Sequence, residues 1–281
     1  MAKLLEGNPI AEKIKEELKK QVQPLKPKPV LASIMVGENA GATSYVKSQS
    51  KAAENLGIEY RLLKLPQDIA EDALVDLILK LNSDKLVNGI IVQMPLPEEI
   101  DYKKISQFIL PEKDIEGMHP ANIGKILFGK SGLIPCTAAS IMELINSSGT
   151  DLYGKEVVVV GHSEIVGKPL ALLLLDKFAT VTVTHIGTSK AHKLEGHVRA
   201  AEILVVAVGK AGLIKGGWIQ EGAVVIDAGI NKVGDKIVGD VEFEEAEKRA
   251  AFITPVPGGV GPLTVTMLMR NLIEAAKSQR Q

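Results

Sequence analysis

The sequence predicts an α/β protein of two domains, each built on a parallel β-sheet covered by helices. Three observations support this prediction. The chain of 281 residues is long enough to bury two medium-sized cores. Short strand-like runs alternate with helical patterns along it, which is typical of parallel sheets. A stretch rich in Gly and Pro, residues 111–138, separates a first series of these units from a second.

The first domain is predicted to begin with a surface helix. Apolar residues recur every four positions from Ile10 to Val22 among Lys and Glu, and prolines follow directly. A second helix over 45–56 has Ser44 as its expected N-cap and Gly57 as its stop. The other elements of this domain are strands at 30–36, 59–65 and 89–93 and a helix at 72–81.

The second domain opens with a helix over 138–145 and four consecutive valines, Val157 to Val160. A helix at 170–175 and strands at 180–184, 203–206 and 224–227 complete a doubly wound, Rossmann-like pattern. No strand follows the last helix, 263–277, so we expect this helix to pack back on the first domain. The predicted domains are residues 1–137 with 263–281 and residues 138–262, with a cleft between them.

Composition excludes several classes of protein. The 33 Lys and Arg against 34 Asp and Glu leave no basic excess for nucleic acid or an anionic membrane. The single Cys136 cannot form an intramolecular disulfide, and the N-terminus lacks the layout of a signal peptide. No apolar stretch approaches the roughly 20 residues that a membrane span needs. We therefore expect a cytoplasmic protein without a transmembrane segment.

Histidine and cysteine do not predict a metal site. None of the five histidines, at 119, 162, 185, 192 and 197, forms a recognised metal pair with Cys136 or a carboxylate. His192 and His197 are predicted to lie on one surface helix. Cys136, at the domain junction, is predicted to be a buried small residue rather than a nucleophile.

The turn after Val160 is a candidate phosphate-binding turn. Gly161, Ser163, Val166 and Gly167 lie where a strand enters a helix, so that backbone N–H groups could face a pyrophosphate. The spacing departs from G-x-G-x-x-G, and a plain β–α turn is the alternative interpretation. Two further strands end in glycine-containing segments, Ala-Val-Gly-Lys with Gly209 and Ala-Gly-Ile-Asn with Ile230. Together these segments predict a dinucleotide site at the carboxyl edge of the sheet.

Several long motifs in this order resemble the methylenetetrahydrofolate dehydrogenase/cyclohydrolase family over essentially the whole chain. They are Tyr45-Val46 heading a helix that ends in residues 51–54, and the segments 89–97, 111–117, 135–137, 161–169, 227–231 and 254–262. The resemblance implies oxidation of 5,10-methylenetetrahydrofolate by hydride transfer to a nicotinamide, usually followed by hydrolysis of the methenyl product in the same site. It also implies a homodimer formed through the nucleotide domain.

The resemblance assigns roles to individual residues. Tyr45 lines the folate site, Gln93 reaches the reacting centre, and the 257–262 loop with Pro262 borders both ligands. Tyr45 could instead merely pack, and Gln93 could cap a strand end. The cofactor residues implied are Gly161, His162, Ser163, Val166, Gly167, Ile186, Gly209 and Ile230.

Gln49 departs from the family pattern. Bifunctional members carry a lysine four residues after the tyrosine, and the hydrolytic step relies on it for proton transfer. A neutral amide has no titratable proton near pH 7. Lys47 and Lys51 are close in sequence, but each lies about 160° around the helix from Gln49. We expect lost or strongly reduced cyclohydrolase activity, with the dehydrogenase retained.

Two further departures concern the substrate and the cofactor. The family places an Asp against the pterin where this chain has the longer Glu116. NADP-preferring relatives often hold the 2′-phosphate with Arg and Ser or Arg at the positions of His162 and Ile186. These two residues favour NAD over NADP, although no acidic residue ends the strand at Thr184 to bind the ribose hydroxyls.

Other functions remain alternatives at this point. The enzyme could be bifunctional by another route, such as a displaced lysine. Gln49 and Glu116 together also allow a relative with a changed ligand or a non-catalytic nucleotide-binding protein. An unrelated dehydrogenase on the same scaffold is a further possibility, which the N-terminal motifs disfavour.

Overall fold

The computed structural model describes residues 1–130 and 132–280. The chain divides into two compact units, residues 13–136 with 265–281 and residues 1–12 with 137–264. Residues 1–12 were predicted to belong to the first domain, and this prediction differs from the structure. They group with the second unit because Lys3–Leu4 pairs with Phe252–Ile253 as an edge strand.

The first half of the chain alternates strands and helices. In chain order, these elements are β1 (Lys3–Leu4), α1 (Gly7–Val22), β2 (Val30–Val36), α2 (Ala40–Leu56), β3 (Glu59–Leu65), α3 (Glu71–Ser83), β4 (Gly89–Val92), α4 (Tyr102–Ser106) and α5 (Pro120–Leu127). The strands expected at 30–36, 59–65 and 89–93 are confirmed to within one residue.

The unit of residues 13–136 and 265–281 is built on a parallel sheet of order β3-β2-β4. All seven residues of β2 are buried, so this central strand is covered on both faces. Alternation along β2 sends Leu31 into one core and Ala32 and Ile34 into another. The first of these cores also contains Leu268 and Leu272 of the last helix. The prediction that this helix returns to the N-terminal sheet is confirmed.

The elements of the second half follow the predicted order. They are α6 (Cys136–Ser147), β5 (Glu156–Val160), α7 (Gly167–Leu175), β6 (Thr180–Thr184), α8 (Ile186–Lys190), α9 (Leu194–Arg199), β7 (Ile203–Val206), a 3₁₀ turn (Gly216–Trp218), β8 (Val224–Asp227), β9 (Asn231–Val233), β10 (Lys236–Val238), α10 (Phe243–Arg249), β11 (Phe252–Ile253) and α11 (Gly261–Ser278). The β9–β10 hairpin and the short strands β1 and β11 were not predicted.

The second unit contains a Rossmann-like parallel sheet of order β1-β11-β8-β7-β5-β6. The chain runs from β5 outward to β6, then crosses back past β5 to β7. Strand order therefore reverses between β5 and β7. Ligands of open α/β sheets bind at the carboxyl ends of the strands beside such a reversal. Gly161 follows β5 and Gly209 follows β7, so both glycines lie at this edge.

Two local predictions need correction. Helix α2 begins at Ala40 rather than near residue 45, because the side chain of Asn39 accepts hydrogen bonds from Gly41 N and Ala42 N and caps it in place of Ser44. His192 and His197 do not share a helix: His192 lies between α8 and α9 at a positive φ of 56°. The stop at Gly57 is confirmed, with a left-handed φ of 71°.

Residues 1–130 and 132–280 contain neither a candidate membrane span nor a candidate metal cluster. None of the helices in these residues is long and apolar enough to cross a bilayer. No group of three His, Cys, Asp or Glu side chains among them is arranged to hold a metal ion.

Candidate functional site

A buried polar network joins β2, β3, β4 and α2. The Nε2 atom of Gln93, directly after β4, donates to Ser33 Oγ at 2.9 Å and to Gln49 Oε1 at 2.8 Å. The hydroxyl of Tyr60 donates to the same Gln49 oxygen at 3.0 Å. Ser33 and Gln49 are fully buried, and Gln93 is 3% exposed. The structure thus brings together two predicted site residues, Gln49 and Gln93, which are 44 residues apart in the chain.

The amide nitrogen of Gln49 takes part in no hydrogen bond of this network. Its oxygen accepts both hydrogen bonds, so the amide orientation is fixed, and Nε2 has no partner within the part of the chain that the structure describes. An unsatisfied buried polar group costs about 1–3 kcal/mol. Such a donor is suited to an acceptor atom on a ligand. Tyr45 lies one helical turn before Gln49 and is half-buried.

The lysines beside Gln49 point elsewhere. Lys47 and Lys51 are exposed, whereas Gln49 has no exposed surface. This arrangement confirms the sequence argument that neither lysine shares the helix face of Gln49. Burial also raises the pKa of Tyr60 above its ordinary value of 10, so that its phenol stays protonated near neutral pH. The four side chains of this network therefore include no group that exchanges a proton near pH 7.

Glu116 belongs to a second polar group of the same unit. Its Oε2 atom accepts a hydrogen bond of 2.8 Å from the hydroxyl of Tyr102, the first residue of α4. Burial raises the pKa of the Glu116 carboxyl to about 7, although the Tyr102 hydrogen bond lowers it, and the nearby Asp114 raises it further. Sequence reasoning missed Tyr102, because only the folded chain brings α4 to residue 116.

Asp114 and Cys136, near Glu116, make hydrogen bonds that serve the local structure. Asp114 accepts hydrogen bonds from His119 N at 2.7 Å and from Asn122 Nδ2 at 2.9 Å, which fixes the start of α5. The Cys136 thiol lies 3.5 Å from the oxygen of Ile115. Burial raises the pKa of this thiol, which disfavours the nucleophilic thiolate.

The glycine turn after β5 depends on close backbone approach. Gly161 has a φ of 118°, and a Cβ there would overlap the carbonyl oxygen of Ala207. A Cβ on Gly167 would overlap the carbonyl oxygen of Gly161. Ser163 Oγ accepts from Val166 N at 3.1 Å and holds the turn that leads into α7. Backbone atoms therefore occupy the place that a side chain would take at both positions, so this tight turn needs glycine there.

His162 and Ile186 lie at the carboxyl ends of β5 and β6. Ile186 is 66% exposed and opens α8. The ring of His162 contacts the ring of His185 edge-on, with centroids 5.1 Å apart. The Nδ1 atom of His185 accepts from Gly187 N at 3.1 Å, so it carries no proton in this arrangement. Sequence analysis did not single out His185.

Two buried aspartates hold the neighbouring loops. Asp240 accepts hydrogen bonds from the backbone N–H groups of Val208, Gly209 and Lys210, at 2.7, 3.0 and 2.7 Å. Asp227, which ends β8, accepts from the backbone of residues 229, 240 and 241. Burial raises the pKa of Asp227 to about 6. Sequence reasoning missed this pair, although an Asp at a strand end two residues before a glycine was a usable signal.

A cavity of about 320 Å³ lies beside these loops. Ile230 and Pro262 line it together with Asp227, Thr137 and residues 255–261. Its walls are mainly apolar, and they bring together Ile230, which was predicted for the cofactor, and Pro262, whose loop was predicted to border both ligands.

Two family models match the chain. The catalytic-domain model of tetrahydrofolate dehydrogenase/cyclohydrolase matches residues 5–116, and the NAD(P)-binding-domain model matches residues 135–280. The chain belongs to the tetrahydrofolate dehydrogenase/cyclohydrolase family.

Individual relatives cover the full chain. It is 49% identical over 281 residues to the Bifunctional protein FolD of Geotalea uraniireducens, covering 99% of each chain, and 50% identical to that of Acetivibrio thermocellus, covering 99% of this chain and 98% of that one. It is also similar to the crystal structure of the bifunctional methylenetetrahydrofolate dehydrogenase/cyclohydrolase FolD of Campylobacter jejuni, with a TM-score of 0.95, 43% identity and 99% coverage of each chain. A Trypanosoma brucei FolD, solved with NADP and an inhibitor, gives a TM-score of 0.94 at 39% identity, covering 100% of this chain and 99% of that one.

Within this family fold, the predicted residues fall into separate groups. Gln49 and Gln93 share one network with Ser33 and Tyr60, and Glu116 pairs with Tyr102. The predicted cofactor residues lie on loops at the carboxyl edge of the second sheet: Gly161, His162, Ser163, Val166, Gly167, Ile186, Gly209 and Ile230.

Proposed function

We propose that this chain oxidises 5,10-methylenetetrahydrofolate by hydride transfer to NAD and adds little or nothing to hydrolysis of the methenyl product. The buried, non-titratable Gln49 network carries this proposal. Residues 13–136 with 265–281 would bind the folate, and the Rossmann-like unit would bind the dinucleotide.

The dehydrogenase half of the proposal requires positioning rather than proton transfer. The nicotinamide supplies the hydride acceptor when it is bound, and the protein must hold the two reactants in near contact. Tyr45, Gln93 and Glu116 retain or approximate the side chains that the family uses for the folate. Glycine at positions 161 and 167 permits the close backbone packing of the turn that enters α7, and the N-terminal N–H groups of such a helix suit a pyrophosphate.

The hydrolytic half requires a group that takes a proton from attacking water. Gln49 cannot take it, and Lys47 and Lys51 are exposed on other faces of α2. Tyr60 stays protonated because burial raises its pKa. We therefore expect methenyltetrahydrofolate to leave the enzyme and hydrolyse at its rate in buffer.

A bifunctional enzyme is the second candidate, and two observations favour it. The relatives at 49–50% identity are named bifunctional. The Glu116 carboxyl, with a pKa of about 7, could exchange a proton near neutral pH. In that case hydrolysis would depend on Glu116 rather than on residue 49.

The preference for NAD rests on His162 and Ile186. An exposed isoleucine offers a 2′-phosphate no hydrogen bond, and an imidazole lacks the forked charge of a guanidinium. The Trypanosoma relative was solved with NADP, so the preference has to be measured for this chain. Family membership also supports a cytoplasmic homodimer formed through the nucleotide unit, with tetrahydrofolate as its small-molecule partner.

The test follows NADH or NADPH formation from methylenetetrahydrofolate with each cofactor. We expect turnover with NAD, and a kcat/KM with NADP that is lower than the kcat/KM with NAD. Turnover with neither cofactor, by a protein that still binds nucleotide, would favour a relative with another ligand or a non-catalytic role. Efficient use of NADP would contradict the cofactor argument alone.

A further inference from the structure

The ring of Tyr102 is held by packing, and its hydroxyl makes a hydrogen bond to Glu116. It opens α4, where the Asp101 side chain accepts from Lys103 N at 2.8 Å and caps the helix. Its ring packs against the core that contains Ile105 and Ile109. The hydroxyl donates to Glu116 Oε2 at 2.8 Å. The ring is thus held by packing, and the hydroxyl holds the carboxylate.

The backbone that carries Glu116 is fixed independently. The backbone N–H of Asp114 donates a hydrogen bond to the carbonyl oxygen of Leu110. The carbonyl oxygen of Lys113 accepts from the N–H groups of both Ile115 and Ile90. Gly117 has a φ of 73°, and a Cβ there would overlap the backbone of Ile134. With the backbone fixed, the side-chain torsions decide where the carboxylate points. A glutamate has three such torsions, so a single strong hydrogen bond has a large effect on its direction.

We propose that Tyr102 positions the Glu116 carboxylate for the aminopyrimidine edge of the folate, and thereby sets folate affinity without contacting the folate itself. This inference rests on the proposed function. Tyr102 occupies Oε2 and leaves Oε1 for the donors of the substrate. The tyrosine offsets the extra methylene of Glu116, because it fixes a side chain that is longer than the family's aspartate.

The hydrogen bond also controls ionisation. Burial and Asp114 raise the pKa of Glu116, and the donated hydrogen bond of Tyr102 opposes them. The pKa of Tyr102 is itself raised by burial and by Glu116, so the phenol remains a neutral donor at working pH. Cys136 of α6 also lies near these carboxylates, and Arg270 of α11 acts on the Cys136 thiol. Tyr102 donates a hydrogen bond directly to the Glu116 carboxylate.

Tyr102→Phe removes the hydroxyl and keeps the ring. The pKa of Glu116 should then rise by about one to two pH units, because a hydrogen bond to a charged group is lost. Tetrahydrofolate binding should weaken about tenfold at pH 7 and by a smaller factor near pH 9.5, where both proteins are ionised and only the loss of positioning remains. The Kd for NAD should not change. Tyr153→Phe, at a residue that is 72% exposed, is the matched control.

The primary measurement is the Kd for tetrahydrofolate between pH 6 and 9.5 by calorimetry under nitrogen, with Tm as the folding check. Glu116→Gln retains Tyr102 and should abolish the pH dependence, which tests the inference even if Tyr102→Phe does not fold. Adding Tyr102→Phe to Glu116→Gln should produce no further pH effect.

Each outcome decides the inference. A shifted pH dependence in Tyr102→Phe alone supports it. A loss of affinity that is equal at every pH, or no loss, overturns it and leaves the proposed function intact. A wild type that binds tetrahydrofolate but does not oxidise its methylene form overturns the proposed function alone. A wild type that does not bind tetrahydrofolate overturns both.

Discussion

Restoring a lysine at position 49 should create a cyclohydrolase. Gln49→Lys places an amine where Gln49 now lies fully buried beside Tyr60, Gln93 and Ser33. Burial among neutral groups lowers the pKa of a lysine toward neutrality, which suits proton transfer. General acid–base catalysis contributes about 10²–10⁴-fold in rate. We therefore expect hydrolysis of methenyltetrahydrofolate to rise by at least about 100-fold.

The structure also gives the cost of this substitution. The substitution removes the Oε1 atom that accepts from Tyr60 and Gln93, and the ammonium form of lysine accepts no hydrogen bond, so both bonds are lost in that form. The Tyr60 hydroxyl can turn to accept from the amine, and the Gln93 amide can rotate to offer its oxygen. One unsatisfied bond would cost about 1–3 kcal/mol of stability, which should appear as a lower Tm.

The assay is loss of methenyl absorbance with and without enzyme, in buffer where spontaneous hydrolysis is slow. Ser50→Lys adds a lysine at the neighbouring, exposed position of α2 and serves as the control. A folded Gln49→Lys variant that keeps its dehydrogenase activity, yet hydrolyses no faster than Ser50→Lys, would refute the reasoning about residue 49.

Three further predictions follow from the same structure. Glu116→Gln should raise Tm at pH 8.5 but not at pH 4. In the folded wild type the pKa of this carboxyl is raised from 4.5 to about 7, so the folded protein binds the proton more tightly than the unfolded chain does. The wild type therefore loses stability as pH rises through the range from 4.5 to about 7, by up to about 3 kcal/mol. Equal gains in Tm at pH 4 and pH 8.5 would contradict this prediction. His162→Arg with Ile186→Ser should raise kcat/KM for NADP by about tenfold or more through charged hydrogen bonds to the 2′-phosphate, and an unchanged NADP to NAD ratio would argue against that contact. Asp240→Asn keeps only one of the two oxygens that accept from the backbone N–H groups of residues 208–210, so at least one of these three hydrogen bonds is lost. KM for NAD should then rise severalfold while KM for the folate stays constant; a change in both would indicate general disruption.

Hydrophobic pattern predicted the long elements well and the short ones poorly. Strand β2 is a run of apolar residues, interrupted by Ser33, between prolines and a glycine, so its bounds follow from the sequence. Strands β1 and β11 have two residues each and form only because they meet across about 250 residues of chain. No local pattern encodes such a pairing, and this explains why residues 1–12 were predicted to lie in the other domain.

Helix α2 illustrates a competition between two local signals. Ser44 precedes a clear helical pattern, but Asn39 offers an equally good cap five residues earlier. The intervening Gly and Thr are weak helix formers, which hid the first turn.

The candidate site was predicted where a residue type stands out and missed where geometry alone matters. Gln49 was identified from the family resemblance, and its rotation away from Lys47 and Lys51 followed from helix geometry. Tyr102 acts through a contact with Glu116, which lies 14 residues away in the chain. Asp240 acts through contacts with the 208–210 loop, which lies about 30 residues away. Their roles depend on side-chain directions that only the folded chain defines.

The proposed activity is tested most sharply by the ratio of methenyltetrahydrofolate to NADH as the wild-type protein oxidises methylenetetrahydrofolate with NAD. Both products are followed in one reaction by their absorbance. We predict that they form one to one, with methenyltetrahydrofolate lost only at its rate in buffer. A methenyl yield that falls behind NADH in proportion to enzyme concentration would contradict the proposal, because the enzyme would then be hydrolysing its own product.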